Sequence, residues 1–161
     1  MTEVEHIYRQ LERTFCSDRW LFPAVRDSLA GVSAAAAAVR PVARAHTIWE
    51  IVAHMTRWER AVLRMLKGES LDRTYDPGNA WDWPPITQTT NDAWSETVQE
   101  LEEAHKELLA AAEGLDKSRL EDRLSGENFT VGELLHAAIE HDHYHSGQIA
   151  LLKKAAAPPR A

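Results

Sequence analysis

Residues 130–149 read TVGELLHAAIEHDHYHSGQI, and the fold can be worked out from this stretch. Thr130 with Glu133 fits the capping box, in which each side chain accepts from an amide that the first helical turn leaves unpaired. No proline follows until Pro158. The apolar residues recur with the 3.6-residue period of a helix, not the alternation of a strand. This helix is predicted to run to about Ala156. His141 and His145 lie at i and i+4, about 40° apart on one face and one turn above the other. The same face carries Leu134, Ala137, Ala138 and Leu152, with Tyr144 and Gln148 flanking the pair, so it is expected to face inward. His143 lies about 160–200° away from both and is expected in solvent.

Three more proline-free stretches lie upstream. Thr47 and Glu50 form a second capping box, opening a helix that should run to about Lys67. In a third stretch Trp94, Val98, Leu101, Leu108, Ala112 and Leu115 recur at four-three spacing, with His105 inside the stripe. Val4, Ile7, Tyr8, Leu11 and Phe15 share a face near the start. Pro23, Gly31 and Pro41 punctuate one irregular region, Gly68 to Pro85 a second, Gly114 and Gly126 a third. An alanine-rich piece from Ser33 to Val39 is a strong helix former. The expected architecture is all-α: a four-helix bundle, with residues 1–161 as one domain.

Composition narrows the function classes. The 18 basic and 25 acidic residues give a formal net charge of −7. Such a surface repels phosphate backbones, so neither nucleic acid nor an anionic membrane is expected as a partner. Cys16 is the only cysteine, which excludes an intrachain disulfide and fits a reducing compartment. It is given no redox role. The polar start of the chain resembles no signal peptide, and no run approaches the roughly 20 apolar residues of a membrane span. The expected location is the cytoplasm.

The chemistry is sought in the eight histidines. Two imidazoles at i and i+4 can both reach one point beside a helix and so clamp a metal. His54 is the natural third ligand, about two turns into its helix and flanked by Ile51, Trp58, Ala61 and Met65. Three neutral nitrogens favour zinc or nickel, with manganese, iron or cobalt next. Three protein ligands also leave a coordination position for water or substrate. The ordinary reading of each histidine, a core imidazole bonded to backbone or carboxylate, competes with this one.

The stretch 134–149, with H-x-x-x-H followed by Gly-Gln-Ile, resembles the last-helix signature of the DinB/YfiT-like metalloenzyme family. The segment from Thr47 through His54 resembles the family's earlier, histidine-donating helix. The resemblance spans nearly the whole chain. It implies an up-down-down-up bundle, often dimeric, with one divalent metal, nickel or zinc, on His54, His141 and His145. Some relatives are thiol S-transferases or mycothiol-dependent isomerases. A small-molecule substrate, such as a low-molecular-weight thiol, and a homodimer are therefore implied.

Rival readings remain open. His141-Asp142-x-x-His145 is one methylene short of the zincin motif, and Asp142 is expected to be solvated. A di-iron bundle would draw on Glu102 with His105, Glu140 with His143, and Glu59 or Glu12. His105 reads as a core residue, His6 and His136 as surface, and His46 as a loop residue. Tyr75, Trp81 and Trp83, in the long second connection, are expected to cover bundle surface, with a lid over the site as the alternative. The function is read as metal-dependent thiol S-transfer, or hydrolysis. The alternative is a non-catalytic metal- or ligand-binding bundle of the stress-response type.

Overall fold

The computed structural model describes residues 1–16, 23–71 and 80–156. Four long helices carry the fold: α1 (Glu3–Phe15), α4 (Ile48–Leu66), α5 (Asn91–Glu113) and α6 (Val131–Ala156). Two short ones, α2 (Val25–Leu29) and α3 (Ala34–Ala38), lie between α1 and α4, and a 3-10 turn (Lys117–Glu121) lies between α5 and α6. No strand forms among the described residues; Arg123 and Thr130 make an isolated antiparallel bridge.

The helix starts are set by local chemistry. Thr47 Oγ1 accepts from the Glu50 amide at 3.1 Å while Glu50 Oε2 accepts from the Thr47 amide at 2.7 Å. Thr130 and Glu133 do the same for α6, and Thr2 with Glu5 for α1. Thr90 and Ser33 cap α5 and α3 with their hydroxyls. These bonds quench orphan amides, each worth about 1 kcal/mol to the helix. Gly68, at φ 85°, ends α4: its amide bonds back to Met65 at 2.9 Å in a left-handed turn that a side chain would strain.

Each of α1 and α4 packs against both α5 and α6. Ile7, Leu11 and Phe15 of the predicted α1 face are buried, as are Trp94, Leu101, Leu108 and Ala112 of the α5 stripe. The apolar core falls into two halves. One gathers Leu11, Val62, Leu108 and Leu135, the other Phe15, Met55, Leu101 and Ile149. Thr14, Glu59, His105 and Asp142, one residue from each long helix, are buried at positions between these apolar residues in the chain. No helix among the described residues is long and apolar enough to cross a membrane.

The short helix α2 had no counterpart in the sequence reading. It packs on α6, with Ser28 Oγ and Ser146 Oγ hydrogen-bonded at 2.8 Å.

Candidate metal centre

His54 projects from α4, and His141 and His145 from successive turns of α6. Their three rings converge. His141 Nε2 lies 3.0 Å from His54 Nε2 and 3.1 Å from His145 Nε2. Tetrahedral zinc–nitrogen bonds of about 2.05 Å would place ligand nitrogens about 3.3 Å apart, so the rings already stand close to the separation a metal needs.

The outer nitrogens fix which inner ones carry lone pairs. His54 Nδ1 lies 2.8 Å from the Asp82 carbonyl oxygen. A carbonyl can only accept, so Nδ1 holds the proton and Nε2 is bare. Gln148 Oε1 takes the same part for His145 Nδ1 at 2.7 Å. A single N–H on His141 can be given to one of these lone pairs at a time, whereas a cation answers both and takes the His141 lone pair as well. Outer partners of this type orient metal-binding imidazoles and raise their basicity.

Charge leads to the same donor set. Burial first, then the neighbouring His145 and His54, push the His141 pKa down to about 3. Burial and His54 push His145 down to about 4 against the pull of Gln148 and Asp82. Burial lowers His54 too, opposed by the Asp82 backbone and carboxylate. Near neutral pH all three are therefore uncharged and fit to donate lone pairs.

A family model described as the DinB superfamily matches residues 21–149. The chain belongs to the DinB superfamily. No curated protein and no solved structure gives a significant match.

The DinB-superfamily match takes in α2 to α5 and most of α6, and around the histidines the structure adds Asp82 and brings Trp83 against a candidate ligand. Asp82, buried at 6% exposure, approaches His54 Nδ1 with its carboxylate at 3.3 Å and accepts from Trp58 Nε1 at 2.9 Å. Trp83 stacks on His54 with ring centroids 4.0 Å apart, and His46 stacks on Trp83 at 3.4 Å. Trp83 thus lies against a candidate ligand and does not merely cover bundle surface. Trp81 meets Trp58 edge-on at 5.2 Å. Tyr75 lies outside the described residues.

Several expectations hold and several need correction. His143 is exposed, as its place on the helix demands. His6 is exposed and His136 partly so. Leu134, Ala138 and Leu152 are buried, but Ala137 and Tyr144 are exposed, so the inward face of α6 is narrower than expected. Asp142 is not solvated: it is 1% exposed and accepts from Thr14 Oγ1 at 3.3 Å. It is engaged inside the bundle, which leaves the zincin-like reading without its base. The di-iron ligand set does not assemble either. Glu102 pairs with Arg26 at 3.0 Å, and Glu12, Glu140 and His143 are exposed.

Part of that rival set does come together elsewhere. His105 Nδ1 and Glu59 Oε1 are hydrogen-bonded at 2.9 Å, and Asp142 Oδ2 lies 3.9 Å from the same nitrogen. Phe15 stacks on His105 at 4.1 Å. His54, His141 and His145 form one group with ligand spacing; Glu59, His105 and Asp142 form the other. A charged residue inside an apolar stripe is the signal that could have found the second group. Glu59 falls between Met55 and Val62 on α4, and Asp142 between Ala138 and Ile149 on α6.

Proposed function

We propose that this DinB-superfamily chain binds one divalent metal ion, zinc or nickel, through Nε2 of His54, His141 and His145, and that it catalyses S-transfer from a low-molecular-weight thiol. The observation that carries the reading is the convergence of the three Nε2 atoms while Asp82 and Gln148 hold the outer nitrogens of His54 and His145. When bound there, such an ion would lower the pKa of a thiol or water in its remaining position and so supply a nucleophile near neutral pH.

The chain's own residues perform the positioning. Asp82 and Gln148 keep the His54 and His145 rings in the ligating tautomer. Trp83 lies flat on His54, limiting solvent access to that ring and resisting its rotation. The apolar surroundings keep the imidazoles neutral, so protons compete poorly with the metal. The preference for S-transfer over hydrolysis rests on the family's thiol-using relatives; the three-nitrogen donor set suits both.

Metal analysis of the purified protein is expected to give one ion per chain. The loaded protein should then transfer bacillithiol, mycothiol or glutathione to an electrophilic acceptor, and His145→Ala should not. Equal rates for the loaded protein and His145→Ala with all three thiols would reduce the reading to a metal-binding bundle without this activity. Two irons per chain would overturn the ligand set as well.

A further inference from the structure

His54 and His145 are both held at Nδ1, but by partners of different origin. His145 Nδ1 meets Gln148 Oε1 at 2.7 Å, and both residues belong to α6, three positions apart. Forming the helix therefore supplies the partner. His54 Nδ1 meets the Asp82 carbonyl oxygen at 2.8 Å, and that oxygen comes from the connection before α5, 28 positions along the chain. Asp82 lies outside any helix. Its carbonyl is aimed at His54 only as well as this piece of the connection is fixed to α4.

The helix that carries His54 also carries an anchor. Trp58 stands one turn further along α4, on the same side as His54. Its Nε1–H donates to Asp82 Oδ1 at 2.9 Å, and that oxygen lies 3.3 Å from His54 Nδ1. Asp82 thus meets α4 at two successive turns, through its carboxylate at Trp58 and through its carbonyl at His54. With Asp82 6% and His54 5% exposed, water has little access to replace either bond. The flanking residues rest on the same helix: Trp81 meets Trp58 edge-on at 5.2 Å with Arg57 over its ring, and Trp83 lies flat on His54. Of these contacts, the Trp58 bond is the directional one that grips Asp82 itself.

We propose that Trp58 is a positioning residue for His54: its indole N–H holds Asp82, and Asp82 in turn holds His54 Nδ1–H so that Nε2 stays bare. Tryptophan suits the task because indole Nε1 only donates. It can bind the Asp82 carboxylate, but it offers no acceptor that would compete for the His54 N–H. A phenylalanine would fill much of the same space without the bond. The effect on metal affinity rests on the ligand set proposed above. The effect on the His54 tautomer does not, because it is present in the metal-free protein.

Two replacements of Trp58 separate the bond from the bulk. Trp58→Phe keeps an aromatic ring, and benzothienylalanine, with sulfur where indole has N–H, keeps the bicyclic shape as well. Both should lower zinc affinity about tenfold in equilibrium dialysis, within the range for groups that orient metal-binding imidazoles. Nitrogen NMR of the metal-free parent should show His54 almost wholly in its Nδ1–H form, and both variants should show a mixture of tautomers. His145, held by Gln148, should keep its tautomer throughout. Asp82→Ala should match these losses. Trp58→Phe combined with Asp82→Ala should fall no further than Asp82→Ala alone, because the two residues act in series. A parent-like His54 tautomer and zinc affinity with benzothienylalanine would overturn the inference, as would losses that simply add in the double variant. Equal loosening of His54 and His145 would overturn it too, since Trp58 would then act through the packing of the whole site. If the His54 tautomer mixes as expected but the parent binds no zinc, the positioning stands and the proposed function falls. If the parent binds zinc and transfers thiol while the tautomer is untouched, the reverse holds.

Discussion

In the three-histidine group, the outer nitrogens of His54 and His145 are held by acceptors, so their bare Nε2 atoms both point at His141 Nε2, at 3.0 and 3.1 Å. In the layer of Thr14, Glu59, His105 and Asp142, donors face acceptors: His105 meets Glu59, and Thr14 meets Asp142. Both groups draw on α4 and α6, and both are largely buried. What differs is the kind of charge that burial permits. Burial disfavours the charged form of each group, so it empties imidazoles of protons and fills carboxyls with them. Glu59 and Asp142 are accordingly pushed well above the usual carboxylate range, mainly by burial and, for Asp142, also by Glu59. The first group is left with lone pairs that invite a cation; the second can settle its polarity with protons it holds itself.

The sharpest way to break this contrast is to remove ligands from one group and ask where the metal goes. His54→Ala, His141→Ala and His145→Ala should each lower metal affinity by more than the ~100-fold that loss of an outer-shell partner can cost. His143→Ala, on the exposed side of the same helix, should leave affinity unchanged. Equilibrium dialysis with zinc followed by elemental analysis measures both. One tightly held zinc per chain in the triple histidine variant would mean that Glu59, His105 and Asp142 hold a metal after all, and the contrast would collapse.

The converse change tests the layer as structure. His105→Ala removes the stacking partner of Phe15 and leaves Glu59 without its hydrogen bond. A loss of about 2–4 kcal/mol in unfolding free energy is expected from the cavity and the stranded carboxyl together. Zinc affinity should stay within about twofold, since His105 supplies no atom to the histidine group. Denaturant titration and dialysis on the same sample give both numbers. A loss of zinc without a loss of stability would reverse the roles assigned to the two groups.

Much of this was legible in the sequence because it depends on local rules. The Thr47–Glu50 and Thr130–Glu133 capping boxes announce α4 and α6, and the i,i+4 spacing of His141 and His145 puts them on one face whatever the rest of the chain does. His54 was found because an apolar face surrounds it. Asp82 carries no such signal, and Trp83 reads as a cover for bundle surface or a lid, since both lie in a connection without periodicity and are brought to His54 by tertiary packing alone. The helix α2 is too short, at five residues, for a period to show. Asp142 was misjudged because a lone aspartate beside two ligand candidates reads as solvated. Its true partners, Thr14 on α1 and His105 on α5, are distant in the chain.

A milder test addresses the partners that orient the imidazoles. Gln148→Ala frees His145 Nδ1 from its 2.7 Å contact, so the ring loses its fixed tautomer. Metal affinity should fall by about 10-fold, within the range for outer-shell partners. Gln148→Glu keeps an acceptor at the same place and should restore binding. If both variants bind as tightly as the parent protein, the hydrogen bond has no part in preparing the site.

The two groups should also pull the pH dependence of metal-free stability in opposite directions. His141 and His145 sit at about 3 and about 4 in the folded chain, against about 6.5 when unfolded. Between those limits the unfolded chain binds more protons, so stability is full above about pH 6.5 and falls as the pH drops towards 4. Glu59 and Asp142 have raised values in the folded chain. There the folded state binds more protons than the unfolded one, so their contribution is present below about pH 4 and is lost as the pH rises through the folded values. Thermal melts of the metal-free protein from pH 4 to 9 should show both limbs. His141→Ala with His145→Ala should flatten the acid limb and leave the alkaline one. Glu59→Gln should lessen the alkaline limb, leaving the share that Asp142 owes to its burial, and spare the acid one. Zinc should then carry the acid limb to lower pH, because protons must compete with the ion as well as with burial. An acid limb unchanged by removal of both histidines would show that their neutrality comes from something other than the buried setting they share.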